Sequence, residues 1–451
     1  MVIGYQIHAQ NWLGFDSLFY YSGMSALYTS PTTNKLYVAG PFSASYGSKN
    51  LRGIASYDGL NFDTLGAGVN FSSSTGVINA MTEFQGSLYV GGQINKMGNL
   101  KTWGVAKWDG IKWDSLSAQL ASGTVMALKV FNNEIYVGGY FSKIGNMNAR
   151  SIAKYNGLSW SIVGSGFPYN SCSTLGTITG IEVYNNQLYV CGNFSDSSCN
   201  YIGVAKFDGT YWKQVGLSIY GGFSELTDLK VYNGNLYLTG RFKVSDGNIG
   251  NAILKYNGST WSKVGDAVTD LGTCLMTKMK VINSKLYVVG GFKSIENTLS
   301  AGGVAIWNDT CWCVPPTGPQ NYRVNALEYY QNKLFIGGGF YDIGNDTVPS
   351  LAILNTTVTT CSAPVGIKES ALNQGGLSIY PNPVTNILHI KDDNQKLENF
   401  DIEIINLLGQ TVKKVPFRNA IDVSDLNEGY YYLRINLINH PALYNQFIKS
   451  N

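Results

Sequence analysis

The chain repeats itself with a period near fifty residues, and that repeat restricts the fold more than any other feature. Aligned on one tyrosine, the motif reads KLYVAG at Tyr37, SLYVGG at Tyr89, EIYVGG at Tyr136, QLYVCG at Tyr189, NLYLTG at Tyr237 and KLYVVG at Tyr287. KLFIGG at Phe335 is a seventh copy, and the steps are 52, 47, 53, 48, 50 and 48 residues. Leucine-rich, ankyrin and tetratricopeptide units are shorter. A second signature lies about twenty residues further on: GIASYDGLNF (53–62), GVAKWDGIKW (104–113), SIAKYNGLSW (151–160), GVAKFDGTYW (203–212), AILKYNGSTW (252–261) and GVAIWNDTCW (303–312). Asp-Gly and Asn-Gly supply the positive φ of a primed turn, so each signature predicts a β-hairpin. A third element precedes the tyrosine, from SAL (25–27) and NAM (79–81) to NAL (325–327), with the period-two alternation of a strand.

Each unit therefore reads as four strands. One such sheet cannot bury both apolar faces, whereas sheets packed radially around an axis can. The expected fold class is all-β, a seven-bladed β-propeller over residues 10–355. The last unit stops at SLAIL (350–354) without its Trp-bearing strand, while the chain opens on an orphan, QNWLGFDSL, whose Trp12 matches Trp113, Trp160, Trp212, Trp261 and Trp312. The N-terminal strand is expected to complete the seventh blade and protect its edge. Because the tyrosines and tryptophans recur at equivalent places, they read as core between blades rather than as a sugar platform. Function is expected where the units differ.

With these motifs in place, the first 355 residues resemble the kelch and galactose-oxidase-type propellers. The resemblance implies architecture and says almost nothing about activity.

After Leu354 the periodicity ends. Residues 356–376 read as a Thr/Ser/Gly/Asn-rich linker, and 377–451 as a small C-terminal β-sandwich of Ig-like kind with strands at LSIYPNP (377–383), ILHI (387–390), 401–415 turning at Leu408-Gly409, and YYYLRINL (430–437). This segment resembles the C-terminal sorting domain of the type IX secretion system of Bacteroidota. The matching residues are Pro381-Asn382-Pro383 with Leu388 and Ile390, Leu408-Gly409-Gln410, IDVSDLNEGYYYLRI with Gly429 and Tyr430, and QFIKS with Lys449. The resemblance implies export by a signal peptide, passage across the outer membrane by way of this domain, and release or anchoring at the surface, often with removal of the tail. At the other end, "IHAQ" reads as the close of a signal peptide cut after Ala9, making residues 1–9 its remnant.

Charged residues are only 14% of the chain and the net charge is +3 without basic or acidic blocks, so nothing points to nucleic acid as a partner. No run of about 18 apolar residues suggests a membrane span. Outside the inner membrane the seven cysteines would be oxidisable. A Cys172–Cys199 bridge is expected within the fourth unit, with Cys311–Cys361 as a second pair. Cys311-x-Cys313 lacks the partner ligands of a zinc site, and no metal or other cofactor is expected.

The three histidines, His8, His389 and His440, all lie outside the propeller body, which argues against copper-radical oxidation and histidine-based acid/base catalysis there. Four arginines are assigned to one face, Arg52 and Arg150 just before third strands, Arg241 at the end of a second and Arg323 just before an innermost one, with Trp103 and Tyr201 as non-repeating aromatics in equivalent loops. Guanidinium groups beside aromatic rings suit the carboxylate or sulfate groups of an acidic glycan. The expected function is a secreted or surface-displayed module that binds an extracellular glycan or protein. A glycosidase or polysaccharide lyase using Asp196, Glu225, Asp342 or Asp346 is the alternative, and a structural repeat protein without a ligand is a third.

Overall fold

The computed structural model describes residues 12–15, 18–19, 23–70, 76–116, 120, 122–167, 176–195, 202–216, 220–243, 252–265, 275–296, 299–319, 323–344, 346–354, 360–361, 377–392, 401–406, 410–435 and 443–450. Among them every regular element is a β-strand. The chain forms two compact units, 1–364 and 365–451.

In the first unit the described strands form seven antiparallel sheets of four or five strands, besides short hairpins. The third sheet is representative: Thr124–Phe131, Glu134–Tyr140, Ile152–Tyr155 and Trp160–Ile162 lie side by side in chain order. Asn132 and Asn133, both at positive φ, turn its first strand into its second, the geometry a two-residue primed turn requires. At the next hairpin Gly157 alone takes positive φ, while the Asn156 Oδ1 accepts the Leu158 and Ser159 N–H groups at 2.9 and 2.8 Å. Asp58, Asp109 and Asp208 do the same at their own turns, and these N–H donors hold their carboxyls below the usual range.

The seventh sheet is assembled from distant pieces. Val324–Tyr330, Lys333–Gly338 and Leu351–Leu354 are joined by Trp12–Gly14, with Trp12 opposite Leu354. Trp12 is 1% exposed, and its Nε1 donates to the Thr317 carbonyl at 2.7 Å. Trp113, Trp212, Trp261 and Trp312 make the same kind of bond to Leu65, Val163, Val215 and Val264, each in the segment that follows the preceding sheet. The repeated tyrosines Tyr37, Tyr89, Tyr136, Tyr189 and Tyr237 are all buried.

A second set of bonds links the first strands of successive sheets. Ser25 donates to Ile78 O (2.6 Å), Asn79 to Val125 O (2.9 Å), Thr179 to Leu226 O (2.7 Å), Thr227 to Met276 O (2.6 Å), Thr277 to Val324 O (2.7 Å) and Asn325 to Met24 O (3.1 Å). All of these donors but Ser25 sit at the point where the first strand slips register against its second. Only Met126, in the third sheet, interrupts the series among the described residues. Thr277→Val is expected to cost about 1 kcal/mol. Urea denaturation of the purified protein reads that loss.

The sixth sheet carries a fifth strand, Thr360–Cys361, beside Trp312–Val314. Cys361 is bonded there to Cys313, not to Cys311 as expected; Cys311 is a buried free thiol. The expectation failed because Cys311 and Cys313 lie two apart on an extended segment and share a side, so either could face the incoming strand. Cys172 and Cys199 lie outside the described residues, as do residues 1–9. The fully buried Cys191 thiol is pushed up to about 12, chiefly by burial.

In the second unit a three-stranded sheet (Leu377–Tyr380, Ile387–Asp392, Ala420–Asp422) and a four-stranded sheet (Asp401–Asn406, Thr411–Pro416, Gly429–Ile435, Leu443–Lys449) both contribute to one core. Leu388, Ile390 and Ile421 from the first meet Ile402, Ile404, Leu433, Ile435 and Phe447 from the second. Leu433 and Ile435 alternate with less buried neighbours along their strand, the signature of a half-buried sheet, whereas Asp401–Asn406 is buried continuously from Ile402 to Ile405.

Candidate functional site

Two kinds of loop meet in the first unit. The connection between second and third strands forms small hairpins, among them Lys96–Met97 with Leu100–Lys101 and Lys143–Ile144 with Met147–Asn148. The segment arriving from the preceding sheet pairs with them: Val69–Asn70 with Lys96–Met97, Leu120 with Ile144, Pro319 with Ile343. Packing is tight enough that a Cβ at Gly68, already at φ +76°, would fall 2.2 Å from the Arg52 carbonyl oxygen.

Three expected site residues take equivalent places on successive sheets. Arg52, Trp103 and Arg150 each precede by five residues the aromatic that pairs with the start of the second strand, Tyr57, Trp108 and Tyr155. Arg52 is exposed, Trp103 is 39% exposed and Arg150 is half-buried. Arg241 and Arg323 do not share that place. Arg241 pairs across its hairpin with Glu225 at 3.3 Å, and the exposed Arg323 runs beside Gly291 of the sixth sheet. Tyr201 and Asp196 lie outside the described residues. Of the other carboxylates considered, Asp342 accepts a bond from Thr347 at 3.2 Å on a hairpin shared with Asp346.

Sequence reasoning passed over a second feature. The first strands of all seven sheets line one cavity of about 490 Å³. Opposite the repeat aromatics Tyr37, Tyr89, Tyr136, Tyr189, Tyr237, Tyr287 and Phe335 stand Tyr28, Thr82, Lys129, Glu182, Lys230, Lys280 and Glu328. Glu182 bridges Lys129 and Lys230, the latter at 2.9 Å; Lys280 pairs with Glu328, and Lys278 with Asp228 at 3.8 Å. Burial pulls against the charge of Glu182, but Lys230 and Lys129 hold its carboxyl below the usual range. For Lys230 burial again opposes the charge, and Glu182 and Asp228 keep it above the usual lysine range. The lysine–glutamate bridge spans the third and fourth sheets, where Met126 breaks the hydrogen-bonded series. A signal for this ring was present. Seven residues before the aligned aromatic, the second to seventh copies read Thr, Lys, Glu, Lys, Lys, Glu while their neighbours repeat.

In the second unit the Pro381-Asn382-Pro383 triplet is tied to the last strand. Asn382 Oδ1 accepts the Ile448 N–H at 2.9 Å, the Val384 N–H donates to Ile448 O at 2.8 Å, and the Ser450 N–H returns to Val384 O at 2.9 Å. Lys449 is buried opposite Gly429, and its ammonium reaches the Ser450 carbonyl at 2.8 Å. Tyr430 is about half exposed. Gly409 lies outside the described residues.

Residues 378–449 match the family described as the secretion system C-terminal sorting domain. Such a tail implies secretion through the type IX system and contact with its machinery, and it indicates export to the cell surface or extracellular space. No helix among the described residues is long and apolar enough to cross a membrane. No match was found among curated proteins. Two similar solved structures are extracellular domains of hybrid two-component systems of B. thetaiotaomicron. One is 12% identical with a TM-score of 0.47, covering 94% of this chain and 56% of its own; the other is 10% identical with a TM-score of 0.31, covering 94% and 67%. The chain thus spans just over half the length of the first of them.

Proposed function

We propose that the first unit is a seven-bladed β-propeller, closed by the Trp12–Gly14 strand, that binds an acidic glycan outside the cell after the sorting tail has delivered it. The seven first strands around one cavity support the ring, as do the bonds that run from one to the next at every step but that from the third sheet to the fourth and return from Asn325 to Met24. The binding role rests on one observation: Arg52, Trp103 and Arg150 stand at equivalent places on three successive sheets and all keep some exposure. Two guanidinium groups flanking an indole match a sugar chain that carries carboxylate or sulfate at intervals, the ring face stacking and the forks pairing.

The test is a panel of uronic-acid, sulfated and neutral glycans. Binding to the acidic members is expected, falling at least about tenfold, roughly 1.4 kcal/mol, when Arg52 and Arg150 are both changed to Ala. Binding that ignores the double substitution would remove this face from consideration. Glycan cleavage in the same assay would replace the binding reading by an enzymatic one.

A further inference from the structure

The sixth sheet holds three sulfurs where two suffice. The Sγ atoms of Cys311, Cys313 and Cys361 all lie within 4.8 Å of one another, with Cys313 and Cys361 bonded and Cys311 free. Extended geometry explains the grouping. Cys311 and Cys313 flank Trp312, whose indole points the other way and donates to Val264 O, so both sulfurs project to the side on which Ile306 lies. Thr360–Cys361 then pairs alongside, bringing its own sulfur to both.

We propose that this cluster is a thiol–disulfide exchange site in which Cys311 and Cys313 alternate as the partner of Cys361. The Cys311 thiol gives its proton to solvent, and its thiolate attacks Cys361 Sγ. The Cys311–Cys361 bond forms as the Cys313–Cys361 bond breaks, and the electron pair leaves on Cys313 Sγ, which takes up a proton. One thiol and one disulfide exist before and after, so no oxidant or reductant is consumed. The Asn308 side chain fits both states: its Nδ2 lies 3.2 Å from Cys311 Sγ and 3.9 Å from Cys313 Sγ, offering an N–H group to whichever sulfur is free. Cys361, the shared partner, is exposed, while Cys311 and Cys313 are buried. Exchange therefore changes where the strand leaving this sheet is fastened without releasing it.

The full-length protein is incubated in mildly alkaline buffer without a redox couple. Samples taken over time are quenched with acid, thiols are blocked with N-ethylmaleimide, and the protein is digested unreduced with chymotrypsin. Cleavage after Trp312 separates Cys311 from Cys313, so mass spectrometry tells the two linkages apart. The expected result is a Cys313–Cys361 peptide joined over time by a Cys311–Cys361 peptide. Cys311→Ser should abolish the second species, and Cys313→Ser should transfer the linkage wholly to Cys311. A wild-type protein that keeps one linkage at every time point overturns the proposal, whatever the variants do. Full alkylation of Cys311 and Cys361 in the Cys313→Ser protein overturns it as well.

Discussion

Trp12→Ala is expected to destabilise the first unit by about 3–5 kcal/mol, the range for removing a buried large aromatic. Three losses combine at this site. The indole is 1% exposed within a cluster that includes Val289, Val304, Ile336 and Ala352, so truncation opens a cavity among them. The Thr317 carbonyl loses its 2.7 Å donor. The short Trp12–Gly14 strand loses its anchor, leaving the outer edge of Leu351–Leu354 to fray. Urea denaturation followed by far-UV circular dichroism measures the effect. Trp160 supplies the contrast, because its Nε1 is buried without a hydrogen-bond partner. Replacing that indole by Phe should cost less than the same change at Trp12. Equal, small costs at both positions would mean that the N-terminal strand does not hold the seventh sheet.

Glu182→Gln is the second large effect, about 1.5–3 kcal/mol, because it removes the one carboxylate that Lys129 and Lys230 share while both ammonium groups stay partly exposed to the cavity. The effect carries a pH signature. Folding lowers the affinity of Glu182 for protons, so its contribution is fully present above the ordinary glutamate range. It is lost as pH falls through the depressed folded value. Lys230 behaves oppositely, since its raised value makes its contribution fade as pH climbs through the folded value. Urea midpoints measured from neutral to acid pH should therefore fall more steeply for the wild-type protein than for Glu182→Gln. Parallel curves would show that the bridge contributes nothing to stability.

What could be read from the sequence was what repeats. Tyrosines opposite a period-two strand, Asn-Gly and Asp-Gly turns, and the isolated Trp12 each carry a local rule, and local rules need no knowledge of distant neighbours. The Lys–Glu ring was missed for the opposite reason. Lys129, Glu182 and Lys230 lie about fifty residues apart, and their charges acquire meaning only when three strands are set side by side around a common space. The cysteine error had the same origin: Cys311 and Cys313 are indistinguishable along the chain, and only the register of Thr360–Cys361 selects between them. Among the expected site residues, Arg52, which lies in the strand Lys49–Tyr57, Trp103 and Arg150 inherit their equivalence from the repeat, whereas the Arg241–Glu225 pair depends on a hairpin whose register no motif encodes.

The bond from Trp12 to Thr317 joins residues 305 apart in sequence. The seventh sheet can therefore be completed only when both the opening residues and the end of the same unit are in place. Bringing two such distant segments together costs loop-closure entropy, so this union is among the slow events of folding.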